Sequence, residues 1–248
     1  MKDQTINTQY FKEINSYNKA YLLGFIAADG AIVQNKNTNT KTLTITIHTK
    51  DIAVLELLKL ELNSSLNIKD INYKSKSLQS YKLDVNHKRF NTSKKEIIND
   101  LESYGLTSNK SLIMPNLVLN IPKQYRKAFI LGYFDGDGCF VDSKVTRRRN
   151  YLKKDGSTST YIGEKYNSQI SIKGTKEFLQ GIVDELQIDS YRIKQISNQN
   201  IHTLIIVKNL DILKFYDCYN HCDFYLQRKK DKFTRKILQV RTISSPSA

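Results

Sequence analysis

Cysteine is scarce in this 248-residue chain. Cys139, Cys218 and Cys222 are too few for a disulfide framework, which points to a reducing compartment. Long apolar runs are missing too, and none approaches the ~18–20 residues needed to span a bilayer. The opening Met1-Lys2-Asp3-Gln4-Thr5 lacks the apolar core of a signal peptide, so secretion is not expected. Phosphate-loop, HExxH and GxSxG patterns are absent, which removes the simplest routes to nucleotide, metalloprotease and serine-hydrolase chemistry. Acid is also short. Aspartate and glutamate number 24 against 39 lysines and arginines, a formal net charge of +15. What the chain does have is a 40% hydrophobic fraction with 10 Phe and 15 Tyr. That is enough for a real core and excludes general disorder. The length fits one large domain or two of about 120 residues. Such an excess of positive charge reads first as the footprint of a polyanion, above all nucleic acid.

The chain repeats itself. Ala20-Tyr-Leu-Leu-Gly-Phe-Ile-Ala-Ala-Asp29-Gly30 matches Ala128-Phe-Ile-Leu-Gly-Tyr-Phe-Asp-Gly-Asp137-Gly138. Gly24 and Gly132 stand 108 residues apart, and so do Asp29 and Asp137. Downstream, Thr44-Ile-Thr-Ile47 matches Gln169-Ile-Ser-Ile172 at an offset of 125, so the second copy carries 17 extra residues. The surplus includes Arg147-Arg-Arg-Asn-Tyr-Leu-Lys-Lys-Asp-Gly-Ser157, which reads as a lengthened, basic hairpin loop. Each copy predicts the same order. A helix (about 19–29 and 126–137) ends at Asp-Gly. A hairpin follows (31–34 with 41–49; 139–145 with 164–173), then an amphipathic helix (51–62; 176–186). A second hairpin (70–75 with 80–87; 190–197 with 201–208) and a closing helix (about 93–104 and 209–219) complete the unit. The alternation of Leu43, Ile45 and Ile47 with threonines marks a half-buried strand. Leu179, Ile182, Val183 and Leu186 recur at helical spacing. The fold class is therefore α+β, with tandem αββαββα units over 1–107 and 124–248. A linker over 108–123 carries Pro115 and Pro122, and a basic helix at about 223–240 ends the chain.

The first helix of each unit is apolar all round, the pattern of a buried helix. Each has small residues one turn apart: Gly24 with Ala28, and Gly132 with Gly136. Such pairs let two helix backbones approach closely. The two helices are expected to pack together around a pseudo-two-fold axis and to stop at Gly30 and Gly138 in the left-handed conformation. Asp29 and Asp137 then meet at two helix C-termini, where the dipole and each other's charge oppose them. Paired carboxylates so placed call for divalent cations. An EF-hand reading of Asp135-Gly-Asp137-Gly fails because Cys139 stands where an acid or amide is required.

These two segments resemble the paired motifs of single-chain LAGLIDADG homing endonucleases. Tyr104-Gly-Leu-Thr-Ser-Asn-Lys-Ser111, Ile121-Pro122 and Tyr225-Leu-Gln-Arg-Lys229 extend the resemblance over nearly the whole chain. The resemblance implies a monomer with saddle-shaped antiparallel sheets that hold a long double-stranded DNA target in the major groove. It implies double-strand cleavage across the minor groove that leaves short 3′ overhangs. It makes Asp29 and Asp137 the metal-binding acids, with the backbone carbonyls of Ala28 and Gly136 beside them. The expected ion is Mg2+, with Mn2+ or Ca2+ as substitutes in binding. The earlier motif acid is present as Asp135 but is Ala27 in the first copy, so it receives no catalytic role. Lys50 fits the family position of a basic residue that positions water or stabilises charge near a metal. Lys173 is its counterpart, with Lys229 behind it.

The polar strand faces supply candidate DNA contacts. In the first unit these are Gln34, Thr42, Thr44, Thr46, Lys74 and Lys82. In the second they are Lys144, Arg147, Arg149, Gln169, Ser171, Arg192 and Lys194. Arginine and lysine suit guanine, and glutamine suits adenine. Arg228 and Lys229 begin a stretch to Arg241 with seven basic residues and one acid, suited to a phosphate backbone. Cys218, His221 and Cys222 lack a clear fourth ligand and read as an ordinary helix end rather than a zinc site. Other roles on this kind of fold are an RNA-splicing maturase and a non-catalytic DNA-binding regulator. Retention of both motif acids favours the nuclease. A protein-splicing element is not expected, since its terminal residues are absent. An intracellular setting follows: a bacterial or phage-host cytoplasm, or an organelle.

Overall fold

The structure is a computed structural model that describes residues 5–73, 85–108, 110–196 and 199–244. Helix α1 (Tyr17–Asp29) starts where the Ser16 hydroxyl accepts from the Lys19 amide, a standard N-cap. Strands β1 (Gly30–Gln34) and β2 (Lys41–His48), helix α2 (Ile52–Glu61), strands β3 (Lys69–Tyr73) and β4 (Val85–Thr92) and helix α3 (Lys95–Ser103) complete the first unit. After the short helix α4 (Lys110–Ile113) comes α5 (Arg126–Asp137). The second unit continues with β5 (Cys139–Leu152), β6 (Thr158–Gly174), α6 (Lys176–Glu185), β7 (Tyr191–Gln195), β8 (His202–Ile206) and α7 (Asn209–Tyr216). Helix α8 (Gln227–Ser244) follows.

Each unit builds one antiparallel four-stranded sheet, in the orders β1-β2-β4-β3 and β5-β6-β8-β7. The two orders are equivalent, as the repeat requires. One face of each sheet is buried: Leu43, Ile45, Ile47 and Phe90 in the first, and Phe140, Ile170, Ile172, Leu204 and Ile206 in the second. Helices cover these faces with Val54, Leu55, Leu58, Ile97 and Leu101, and with Phe178, Leu179, Ile182, Ile212 and Phe215. Among the described residues no helix covers the opposite faces of the sheets, which is the half-solvated design open to antiparallel sheets. Helix α8 is tied down by Phe233, whose ring stacks on Phe140 at 4.0 Å between centroids.

Three features differ from the sequence reading. The surplus of the second unit is not a long loop. β5 and β6 have 14 and 17 residues where β1 and β2 have 5 and 8. Each strand is nine residues longer, and the turn between them is one residue shorter. Strand pairing persists through the basic stretch because arginine, threonine and tyrosine side chains can alternate freely on a ribbon exposed on both faces. The linker is not a free tether either: Met114, Leu117, Val118 and Ile121 are buried. The Thr175 hydroxyl donates to the Met114 carbonyl at 2.6 Å. The third difference concerns Gly30 and Gly138, which are extended, with φ −77° and −81°, not left-handed. Each helix passes straight into a strand. Glycine is required there for room: a Cβ on Gly30 would lie 2.7 Å from the Ile26 carbonyl oxygen, and one on Gly138 would overlap the Phe134 ring.

Candidate active site

Helices α1 and α5 pack along one another at the centre of the molecule. A Cβ on Gly24 would overlap the Phe129 carbonyl and come within 2.9 Å of the Tyr133 nitrogen. A Cβ on Gly132 would overlap the Tyr21 carbonyl and come within 3.0 Å of the Phe25 nitrogen. The contact is reciprocal, with the backbone of each helix seated in the glycine notch of the other. One turn on, Ala28 faces Gly136, and a Cβ on Gly136 would sit 3.4 Å from the Asp29 carboxylate oxygen. Asp29 and Asp137 are thereby brought to one place, at two helix C-termini, Asp29 directly before β1 and Asp137 one residue short of β5.

The electrostatics are those of confined charge. Burial, and then the neighbouring Asp137, raise the Asp29 carboxyl from 3.8 to about 6. Two lysines oppose this rise, Lys110 and Lys229. Lys110 Nζ donates to the carbonyls of Ile26 at 2.8 Å, Ala28 at 3.0 Å and also Ala27. Lys229 Nζ donates to the carbonyls of Phe134 at 2.6 Å and Gly138 at 2.7 Å. Each lysine therefore caps the C-terminus of one motif helix, where a cation complements the dipole and satisfies orphan carbonyls. Burial lowers both ammonium groups from 10.5 to about 8, against the raising effect of nearby carboxylates. At pH 7 both lysines stay charged.

Asp135 has a different occupation. It is 2% exposed and accepts from the Tyr21 hydroxyl and the Leu226 amide, each at 2.8 Å. Burial raises it to about 6, opposed first by the Leu226 amide. It ties the approach to α8 against the motif helices, and so places Lys229. Arg228 is held by a bidentate contact to Asp51, at 2.6 and 2.7 Å. Arg228 and Lys229 are thus engaged within the protein. Lys110 escaped the sequence reading because it lies in the linker, 81 residues from Asp29. The signal that could have found it is the likeness between Leu106-Thr-Ser-Asn-Lys110 and Leu226-Gln-Arg-Lys229.

Lys50 is exposed in the 3-10 turn after β2, and Lys173 is exposed near the end of β6. The charges that act most on Asp29 are Asp137, Lys110, Lys229 and Asp51. Thr42, Thr44 and Thr46 lie on the open face of the first sheet, with Asn91 and Arg89 opposite Thr44 and Thr46. Arg89 Nε donates to the Thr46 hydroxyl at 2.9 Å. In the second sheet, strand alternation puts Gln169, Ser171, Lys173, Arg192, Lys194, Arg147 and Arg149 on the open face. Two candidates fall on the other side. Gln34 lines a cleft with Lys95, Ile98 and Asn99, and its strand partner Lys41 pairs with Glu102 of α3. Lys144 shares the face of Phe140 and pairs with Glu164 at 2.5 Å. The period of two decides both cases. Lys74 and Lys82 lie outside the described residues.

A hard divalent cation takes oxygen ligands. Two carboxylates at the carbonyl ends of two helices are a donor set of that kind, although the Ala28 carbonyl already accepts from Lys110. Among the described residues, no cluster of three or more His, Cys, Asp and Glu could hold a metal by itself. The Cys218 thiol is buried and burial pushes Cys222 up to about 12, while His221 sits beside Asp217 and Lys127. No helix among the described residues is long and apolar enough to cross a membrane.

The sequence family described as LAGLIDADG endonuclease matches residues 22–114. No curated protein matches the chain. Several solved structures share its fold from end to end. The I-LtrWI LAGLIDADG homing endonuclease, solved bound to target DNA, is 17% identical, with a TM-score of 0.55 over 95% of this chain and 92% of that one. I-SmaMI, solved bound to uncleaved DNA with calcium ions, is 13% identical, with a TM-score of 0.58 over 94% and 95%. I-GzeII, in complex with a DNA target, is 14% identical, with a TM-score of 0.55 over 92% of each chain. Residues 22–114 thus match the LAGLIDADG endonuclease family, and the chain as a whole shares the fold of the LAGLIDADG homing endonucleases.

Proposed function

We propose that the protein is a site-specific double-strand DNA endonuclease that acts as a single chain and depends on a divalent metal. The observation that carries this reading is the meeting of Asp29 and Asp137 under two capping lysines, each acid at the root of a sheet whose outer face is uncovered. The units over 1–107 and 124–248 would each address one half of a long DNA target, joined by the segment 108–123.

Asp29 and Asp137 would hold the metal, with the carbonyls of Ala28 and Gly136 at the same helix ends; Mg2+ is the expected ion. When bound, the metal supplies an activated water and neutralises charge on the scissile phosphates. Lys110 and Lys229 present fixed positive charge at the same place, where phosphodiester hydrolysis builds negative charge in its transition state. Both are charged at neutral pH and held by backbone carbonyls, so little reorganisation is needed as the reaction proceeds. Lys50 and Lys173 are better placed for phosphate contact. The open-face threonines, Gln169, Ser171, Arg192 and Lys194 face the DNA. Cleavage leaves short 3′ overhangs.

Selection of cleaved sites from a randomised DNA library with Mg2+ tests the activity. Asp29→Asn and Asp137→Asn should each abolish double-strand cleavage and spare DNA binding. Retained double-strand cleavage by either variant overturns the assignment. Affinity should fall by about three to five decades between about 50 and 200 mM salt if six to ten phosphates are neutralised.

A further inference from the structure

The β5–β6 hairpin extends nine residues per strand beyond its counterpart in the first unit. At about 3.3 Å per residue this is about 30 Å, the axial length of about nine base pairs. The pairing runs unbroken from Cys139↔Ser171 to Leu152↔Thr158, with one partner for every residue. No bulge reverses the faces, so the open face of the sheet continues into the arm. On that face stand Arg147, Arg149, Tyr151 and Tyr161, all exposed, with the tyrosines at 52% and 59%. Between 145 and 163 there are five basic residues and one acid.

A two-stranded ribbon exposed on both sides is marginal in water and is best ordered by a partner. The partner this ribbon fits is polyanionic and grooved. The DNA major groove admits a two-stranded ribbon, and arginine is its commonest base-specific reader. We propose that this arm reads DNA beyond the site addressed by the sheets, so that the second unit recognises a longer half-site than the first. The inference rests on the endonuclease reading above and goes beyond it by making the target lopsided.

The test compares library selections by the full chain and by a shortened chain. In the latter, residues 147–163 are replaced by an Asn-Gly turn, which keeps Thr146 opposite Glu164. The full chain should show sequence preference further from the cut on one side, by several base pairs. The shortened chain should lose those outer positions alone and keep the central ones. Arg147→Ala with Arg149→Ala should weaken the same positions about tenfold or more and lower the salt slope by about two. Arg148→Ala, on the opposite face, should not. If the shortened chain fails to fold, the double-arginine variant decides. Equal reach on both sides overturns the proposal, as does loss that is not confined to one side, or a changed oligomeric state with an unchanged profile. A full chain that neither binds nor cleaves DNA overturns the endonuclease reading itself.

Discussion

The two units agree most closely where they touch and diverge with distance from that contact. At the centre, Gly24 takes the Phe129 carbonyl and Gly132 takes the Tyr21 carbonyl, in the same geometry. Further out, each unit uses the N-cap residue of its own second helix to anchor the lysine-bearing segment that caps the other unit's motif helix, but with different chemistry. Asp51, ahead of α2, grips Arg228 beside Lys229 in a bidentate ion pair. Thr175, ahead of α6, donates one neutral hydrogen bond to Met114, just past the helix that carries Lys110. At the periphery the hairpins differ by nine residues per strand. Close packing tolerates no departure from symmetry, a hydrogen bond tolerates a change of partner, and a solvent-facing ribbon tolerates a change of length.

The largest effect should come from the seats. Gly24→Ala and Gly132→Ala each force a side chain into a backbone carbonyl, and each should cost about 4 kcal/mol or more. Urea unfolding measures this. A difference above about 2 kcal/mol between them would break the central symmetry. Next, Lys110→Met and Lys229→Met should each slow double-strand cleavage about 10²-fold and let nicked DNA accumulate, since each lysine serves one helix end. Time courses on supercoiled plasmid show this, and accumulation with only one of the two would make the sites unequal. Third, Asp51→Ala leaves the Arg228 guanidinium unpaired in a partly buried place and should cost about 2 kcal/mol. Thr175→Val should cost about 1 kcal/mol. Equal losses would mean that the ionic and neutral anchors are equivalent.

The smallest effect concerns pH. The Asp29 carboxyl titrates near 6 in the folded protein against 3.8 ordinarily. The unfolded chain therefore gives up this proton first. The group costs stability once pH rises above 3.8, in full above about 6, and nothing below. Asp29→Asn should stabilise the metal-free protein at pH 7 by about 1 kcal/mol, discounted for partial exposure. The gain should disappear toward pH 4. Thermal unfolding at the two pH values decides it, and an equal gain at both would remove charge as the cause.

Much of this was legible in the sequence. Leu43, Ile45 and Ile47 announced the first sheet, and the matched Gly and Asp positions announced the paired helices, because burial imposes a period on apolar residues. The arm was illegible as strand because neither of its faces is buried, so no apolar period marks it. Arg147-Arg-Arg149 reads as loop by composition alone. Lys110 was hidden for another reason. Its role is to fill the carbonyl end of a helix 81 residues earlier, and no local pattern encodes a contact at that separation. Gln34 and Lys144 were legible as polar strand residues, but their face depends on register, which only the pairing reveals.

The unbroken register of the arm has a consequence for how such a chain can change. Residues added at the tip in cross-strand pairs leave every inner pair facing as before, whereas a single unpaired insertion turns one strand over from that point outward. Reach and orientation are therefore separate variables here. The hairpin can lengthen or shorten by whole rungs without disturbing Asp137 at its base, so under the proposed function the span of sequence inspected would drift while the root stays fixed.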